Sequence, residues 1–456
     1  MTDFLEWDAH RLSAAIAAGI VSSADLMRAT LDRITERNSV NAIVSLRDED
    51  ALMAEAREAD LIPAKGPLHG IPIAVKDLAN VAGLPTSMGS PVFAGQPAPA
   101  SDVMVQRMQD AGAIFIGKTN TPEFGLGSHT YNAVFGATEN ALVPGCSAGG
   151  SSGGAAVALA TRMVCLADGS DMMGSLRNPA GWNGVYGMRP SWGRVPGEPV
   201  GDMFAHPLAT NGPMARCPRD IALLLEVQAG LNRHQPYGLP AERYQEKMQA
   251  DVTGRRIAWL GDWGGAYPME PGVLDTAAAG GAMFEELGCV VEDVPAPFDA
   301  SALWHAWITL RSWAVAAKLG PIYAQSDQRD FLKPEAVWEI ERGLSLTGAE
   351  IQKASAIRSD WFRAATKLFE TYDAFVLPTA QCFPFPIDWD WPKSIGGVTM
   401  DTYHRWMEVV IPVSLIGLPC LAVPIPSVRP MGLQIAGRPR DDTSVLQLGG
   451  AWHGIY

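Results

Sequence analysis

The chain has 456 residues, with 49 acidic against 35 basic side chains for a net charge of −14, and it is 47% hydrophobic but only 18% charged. A chain of this length buries one large core or two medium ones, and the composition excludes disordered and fibrous proteins. The negative balance repels phosphate backbones and anionic lipid surfaces, so neither nucleic acid nor a membrane is an expected partner.

In chain order, Ser22 followed by Asp25 reads as a helix start, and Leu26, Thr30, Leu31 and Ile34 share one face, which predicts an amphipathic helix over Ser22–Asn38. The apolar run IPIAV within Gly70–Val75 predicts a strand buried on both faces. Val103–Ala111 reads as a helix and Ala113–Ile116 as a short buried strand. A Gly/Ser-rich loop, Gly145–Gly154, leads into the helical run AAVALATRM. Val164–Ala167 reads as a strand ending at a second loop, DGSDMMGS. Alternating strands and helices argue for a mixed or parallel sheet covered on both sides. Eight tryptophans follow between residues 300 and 410: Trp304, Trp307, Trp313, Trp338, Trp361, Trp389, Trp391 and Trp406. Most read as the filling of a helical layer, and some as walls of an apolar pocket. The uncharged stretch Val409–Val428 is long enough to span a bilayer, but Pro412, Pro419, Pro424 and Pro426 break any such helix, so buried strands and turns are expected.

The six cysteines, Cys146, Cys165, Cys217, Cys289, Cys382 and Cys420, form no CxxC pair and are widely spread, against both a zinc knuckle and a disulfide scaffold. The acidic start MTDFLEWDAH lacks the layout of a signal peptide. A soluble, cytoplasmic protein is therefore expected. Neither an HExxH pair nor a calcium loop is present, so no metal or cofactor is expected.

Two patterns invite over-reading. Gly112–Thr119 (GAIFIGKT) fits the phosphate-loop spacing, but the residues between its glycines read as the strand itself. GxSxG fits three overlapping times, around Ser147, Ser151 and Ser152, in a tract where glycine and serine are simply abundant. Three elements remain: Lys76 closing the IPIAV strand, the Ser151–Ser152 pair, and Ser175 in DMMGSLR. Singly, each has an ordinary reading as a surface lysine, a turn former or a helix cap.

Together they stand where the amidase signature family carries its pattern. GGSSGGAAVA followed by GSDMMGSLRNPAGWNGVYGMRPSWGRV resembles that signature closely, as do GIPIAVKD, GKTNTPEFG, YDAFVLPT, GLPCLAVP and MGLQIAG. The resemblance implies an α/β amidase signature fold, with a large mixed β-sheet core covered by helices on both faces and a variable helical cap. It implies one domain over residues 1–456, with the signature core at about 65–200 and the Trp-rich cap and substrate region at about 230–410. It further implies a catalytic triad with Ser175 as nucleophile, Ser151 (in a cis peptide) as bridge and Lys76 as general base. Lysine is a base near neutrality only if burial disfavours its charge. The oxyanion hole would be the backbone N–H groups of Met172, Met173, Gly174 and Ser175, with Ser152, Asp171 and Arg177 in support.

The chain departs from the family pattern at Met173, where a first glycine is usual, at Ser170 for threonine, and at Arg189-Pro190-Ser191 for Lys-Pro-Thr. Met173 is expected to add bulk beside the reacting centre and to restrict the loop. The implied activity is hydrolysis of a small to medium carboxamide or anilide with an apolar or aryl part. The alternatives are a glutaminase-type subunit of a transamidating complex, an esterase or carbamate hydrolase, or a non-catalytic ligand-binding relative. The family also makes a homodimer an expectation.

Overall fold

A computed structural model of the chain describes residues 4–454. Its main sheet has eight strands, in the order Leu166–Asp171, Thr210–Ala215, Tyr186–Arg189, Cys420–Ile425, Met431–Gly437, Ala374–Pro378, Arg256–Trp259 and Val290–Asp293. The first six pair antiparallel. Arg256–Trp259 runs parallel to both of its neighbours, so the sheet is mixed. A separate three-stranded sheet places Ile114–Thr119 between Ile43–Val44 and Pro72–Lys76. Helices cover the main sheet, and a helical region (Ala300–Tyr323, Pro334–Ser345 and Gly348–Leu368) stands beside it.

Local chemistry accounts for the elements that frame the site. The helix Ser23–Arg37 starts where the sequence indicates, with the Ser22 hydroxyl accepting from the Asp25 N–H at 2.9 Å. The strand Pro72–Lys76 is buried at every position and carries a lysine into the interior at its end. Gly112–Thr119 is no phosphate loop, since Ile114–Thr119 is itself a strand.

Two expectations need correction. The segment expected to end at Ala167 pairs on as far as Asp171, each residue facing one of Thr210–Ala215 with Gly169 opposite Gly212. Pairing in the sheet overrides the weak strand preference of Asp-Gly-Ser-Asp. Within Val409–Val428, Ile411–Leu415 is a short helix with Pro412 in its first turn, where a missing N–H costs nothing, and only Cys420–Ile425 is a strand. Among the described residues no helix is long and apolar enough to cross a membrane.

The tryptophans divide in kind. Trp304, Trp307, Trp361 and Trp406 are core residues, while Trp338 and Trp389 are 36% and 49% exposed.

Candidate active site

Lys76 is 1% exposed, and its Nζ lies 2.8 Å from Ser151 Oγ, 2.8 Å from Ser152 Oγ and 3.1 Å from Ser170 Oγ. Among the described residues no carboxylate oxygen comes within ion-pair distance of it. The nearby Asp168 instead accepts from the Lys76 backbone N–H at 3.0 Å. Lys118, on the adjacent strand, differs: it is also buried but has Asp77 at 3.9 Å. Burial drives the Lys76 amine down from 10.5 to about 7, against the opposing pull of Asp168 and Asp171. A neutral amine has two N–H donors and one lone pair. Three hydroxyl neighbours suit that state, with one of them donating to nitrogen.

Ser151 and Ser152 stand where the Gly/Ser loop runs straight into the helix Gly153–Ala160, and the Gly150–Ser151 peptide is cis. Gly125, at φ +71°, closes the other side. A Cβ there would sit 2.8 Å from Leu78 Cδ1 and 3.4 Å from Ser151 Oγ, so a side chain at this position would clash with Leu78 next to the serine.

Ser175 stands on the turn between the strand Leu166–Asp171 and the helix Arg177–Asn183 and is 6% exposed. Its carbonyl accepts from the Ser152 N–H at 3.2 Å, which ties the two loops together. The Ser175 hydroxyl makes no hydrogen bond among the described residues. The contact from Ser151 to the lysine is therefore made, and that from Ser151 to Ser175 is open. Catalytic hydrogen bonds commonly tighten only when substrate is bound.

The turn is held by Asp171. Its carboxylate accepts from the N–H groups of Gly174 (3.0 Å) and Leu176 (3.2 Å), from Arg177 at two nitrogens (3.0 Å each) and from Arg189 at 3.0 Å. Burial alone would raise its pKa, but Arg177 and Arg189 hold it well below the usual carboxylate range. Arg177 continues to Val410 O, Gln434 Oε1 and Ser414 Oγ. The Gly174 N–H is thus committed to Asp171, which leaves Met172, Met173 and Ser175 from the four amides expected to face an oxyanion. Gly174 has φ +78°, and a Cβ there would meet Val410 at 2.9 Å.

A cavity of about 590 Å³ opens at Lys76, lined among others by Ser170, Met172, Trp192, Val195, His206 and Tyr237. None of the eight tryptophans between residues 300 and 410 lines it.

A family model described as Amidase matches residues 25–446. The chain belongs to the amidase signature family. It is an amide-hydrolysing enzyme. It is 34% identical over 455 residues to an acylamidase of Rhodococcus erythropolis, covering 97% of this chain and 94% of that one. It is 31% identical to one of the subunits of the glutamyl-tRNA(Gln) amidotransferase of Chloroflexus aurantiacus, covering 99% and 97%. A solved bacterial aryl acylamidase superposes with a TM-score of 0.91 at 26% identity, covering 98% and 96%.

In this amidase the residues singled out in the sequence converge as two groups, Lys76 with Ser151 and Ser152, and Ser175 with Asp171 and Arg177. Four other contributors carried little signal. Ser170 stood out only as a departure from the pattern, although its side chain completes the lysine's shell. Asp168, Trp192 and Tyr237 are single residues whose neighbours in space are remote in sequence.

Proposed function

We propose that this amidase cleaves the C–N bond of small to medium acyl amides with an apolar or aryl part, through an acyl-enzyme on Ser175. In this reading the neutral Lys76 accepts a proton from the Ser151 hydroxyl while Ser151 takes that of Ser175, whose Oγ attacks the carbonyl carbon. The developing oxyanion faces the amides of Met172, Met173 and Ser175, and one such donor is typically worth about 2.7–4 kcal/mol. Lys76, now charged, returns the proton through Ser151 to the leaving amine, and water then releases the acid by the same route reversed.

The observation that carries this reading is a buried lysine held near 7 among hydroxyls. A structural lysine at such a position would be expected to have a carboxylate partner, as Lys118 has. The acyl preference is supported by the likeness to acylamidases and by the aromatic and thioether lining that Trp192, Tyr237, Met172 and Met203 give the cavity.

The test is an intact-mass measurement after exposure to a fluorophosphonate, followed by turnover of acetanilide, benzamide, acetamide and glutamine. One adduct that disappears in Ser175→Ala, with acetanilide or benzamide preferred, is expected. Preference for acetamide would overturn the substrate reading. Glutamine turnover alone would favour the transamidating-complex reading that the Chloroflexus relative suggests. An adduct unchanged in Ser175→Ala would overturn the nucleophile.

A further inference from the structure

A second cluster of reactive side chains, sharing no residue with the Lys76 site, lies where the helix Ala9–Ala17 meets the helix Pro218–Gln228. Asp8 and Cys217 immediately precede these helices, and neither side chain makes the capping bond that its position allows. The first helix is capped from its neighbour instead. Asp220 accepts from the Ala9 N–H at 2.7 Å and from the His10 N–H at 2.9 Å. That arrangement frees the Asp8 carboxylate. Asp220 Oδ1 also lies 2.8 Å from His10 Nδ1, which fixes the imidazole and makes Nε2 the lone-pair nitrogen. A carboxylate oxygen of Asp8, a ring nitrogen of His10 and the Cys217 sulfur all lie within 4.8 Å of one another.

We propose that Asp8, His10 and Cys217 bind a thiophilic divalent cation of the zinc class, with Asp220 as the carboxylate behind the histidine. Thiolate, imidazole and carboxylate are the donor types such an ion selects, and three protein ligands leave a fourth position for water. Ligand atoms around a tetrahedral zinc lie about 3.3–3.7 Å apart, so the cluster, whose ligand atoms lie within 4.8 Å of one another, contracts by no more than about 1.5 Å on binding. Asp8 and His10 are only partly buried. A carboxylate holding the far nitrogen of a ligating histidine is the usual outer arrangement of metal sites.

The charges agree with this assignment. Two helix N-termini disfavour a cation, but Asp8, Asp220 and a Cys217 thiolate outweigh them. Burial, reinforced by Asp220 and Asp8, pushes the free thiol well up and keeps it protonated. Binding therefore breaks the S–H bond, forms the S–metal bond and releases the proton to solvent. A cavity of about 750 Å³ is lined by Pro218 and Arg219, the two residues that follow Cys217 in the chain. The bound ion would tie the N-terminal segment to the helix Pro218–Gln228. Spacing rules do not detect such a site, because His10 and Asp220 are 210 positions apart.

The test is a titration of chelator-stripped full-length protein with Co²⁺, followed by absorption, and a thermal unfolding scan with and without Zn²⁺. Wild type is expected to bind one equivalent with a thiolate-to-cobalt charge-transfer band and to unfold at a higher temperature with Zn²⁺. Cys217→Ser is expected to lose the band, and Asp8→Asn and His10→Gln to bind at least about tenfold more weakly, a loss that even outer partners of a metal produce. If Cys217→Ser does not fold, the partly exposed Asp8→Asn decides through its loss of the Zn²⁺-dependent shift. A wild type without the band overturns the proposal. So does a band that persists in Cys217→Ser, or a Zn²⁺ shift that Asp8→Asn leaves intact.

Discussion

Replacing Lys76 with methionine tests the state of the amine without relying on turnover. The side chain is 1% exposed, and burial brings its pKa from 10.5 to about 7, which corresponds to about 5 kcal/mol against charging it in the folded chain. In the unfolded chain the same amine titrates near its ordinary value. Between about 7 and 10.5 the unfolded state therefore binds a proton that the folded state does not, and stability rises with pH across this window. Below about 7 both states are charged and the full cost of burial is present. Above about 10.5 both are neutral and it is gone. Methionine removes this cost and leaves the hydroxyls of Ser151, Ser152 and Ser170 without their partner, a loss of about 1 kcal/mol each that does not titrate here. Lys76→Met is thus expected to be more stable than wild type by about 2 kcal/mol near pH 6 and less stable by about 2 kcal/mol near pH 10, with turnover lost at both. Denaturant unfolding of the two proteins at both pH values measures the difference. A difference that stays constant with pH would refute a lysine forced neutral by its surroundings.

Three further outcomes are expected. Because Lys76 must be neutral to act, kcat/KM should rise with pH through about 7, falling about tenfold per pH unit on the acid side; a flat profile counts against the lysine as base. Asp171→Asn leaves Arg177 and Arg189 buried without their countercharge and should cost about 3–5 kcal/mol, read as a lowered unfolding midpoint; an unchanged midpoint would mean that the carboxylate does not hold the loop. Trp192→Ala should raise KM for acetanilide about tenfold while leaving acetamide nearly unaffected, since an aromatic wall is worth about 1.5–3 kcal/mol only to a ligand large enough to touch it. Equal loss on both substrates would place the acyl or aryl group elsewhere.

How much was legible in the sequence depended on whether a feature was local. The buried strand ending at Lys76, the capped helix from Ser23 and the Gly/Ser loop follow from short-range pattern, and the structure holds them within a few residues. The extension of Leu166 to Asp171 as a strand was not legible, because its stability comes from Thr210–Ala215, a remote segment that supplies the ladder. The same holds for the walls of the cavity at Lys76. Most of the tryptophans between residues 300 and 410 read as core filling and some as pocket wall; Trp304, Trp307, Trp361 and Trp406 are core, but none of the eight lines the cavity at Lys76, where Trp192 and Tyr237, unremarkable in sequence, stand instead. Composition reports how much aromatic surface must be buried, and topology decides which ring meets the ligand.

The same distinction bears on what Met173 does to the loop. From sequence, a bulky residue in place of glycine threatened the backbone expected to present the oxyanion donors. In the folded chain Met173 is 4% exposed, packed in the main core, and is not among the residues with positive φ. The strained position is the next one, where Gly174 adopts φ +78° against Val410, and there glycine is retained. The methionine therefore faces no backbone penalty and supplies packing that glycine would not. Met173→Gly is accordingly expected to destabilise the protein by about 3–5 kcal/mol, from the lost core side chain together with the added freedom of the unfolded backbone. It should leave kcat, measured well below the unfolding transition, within a few-fold of wild type. A variant that is equally stable and markedly faster would show instead that the side chain obstructs the donors, and would return the loop to the reading that its sequence first suggests.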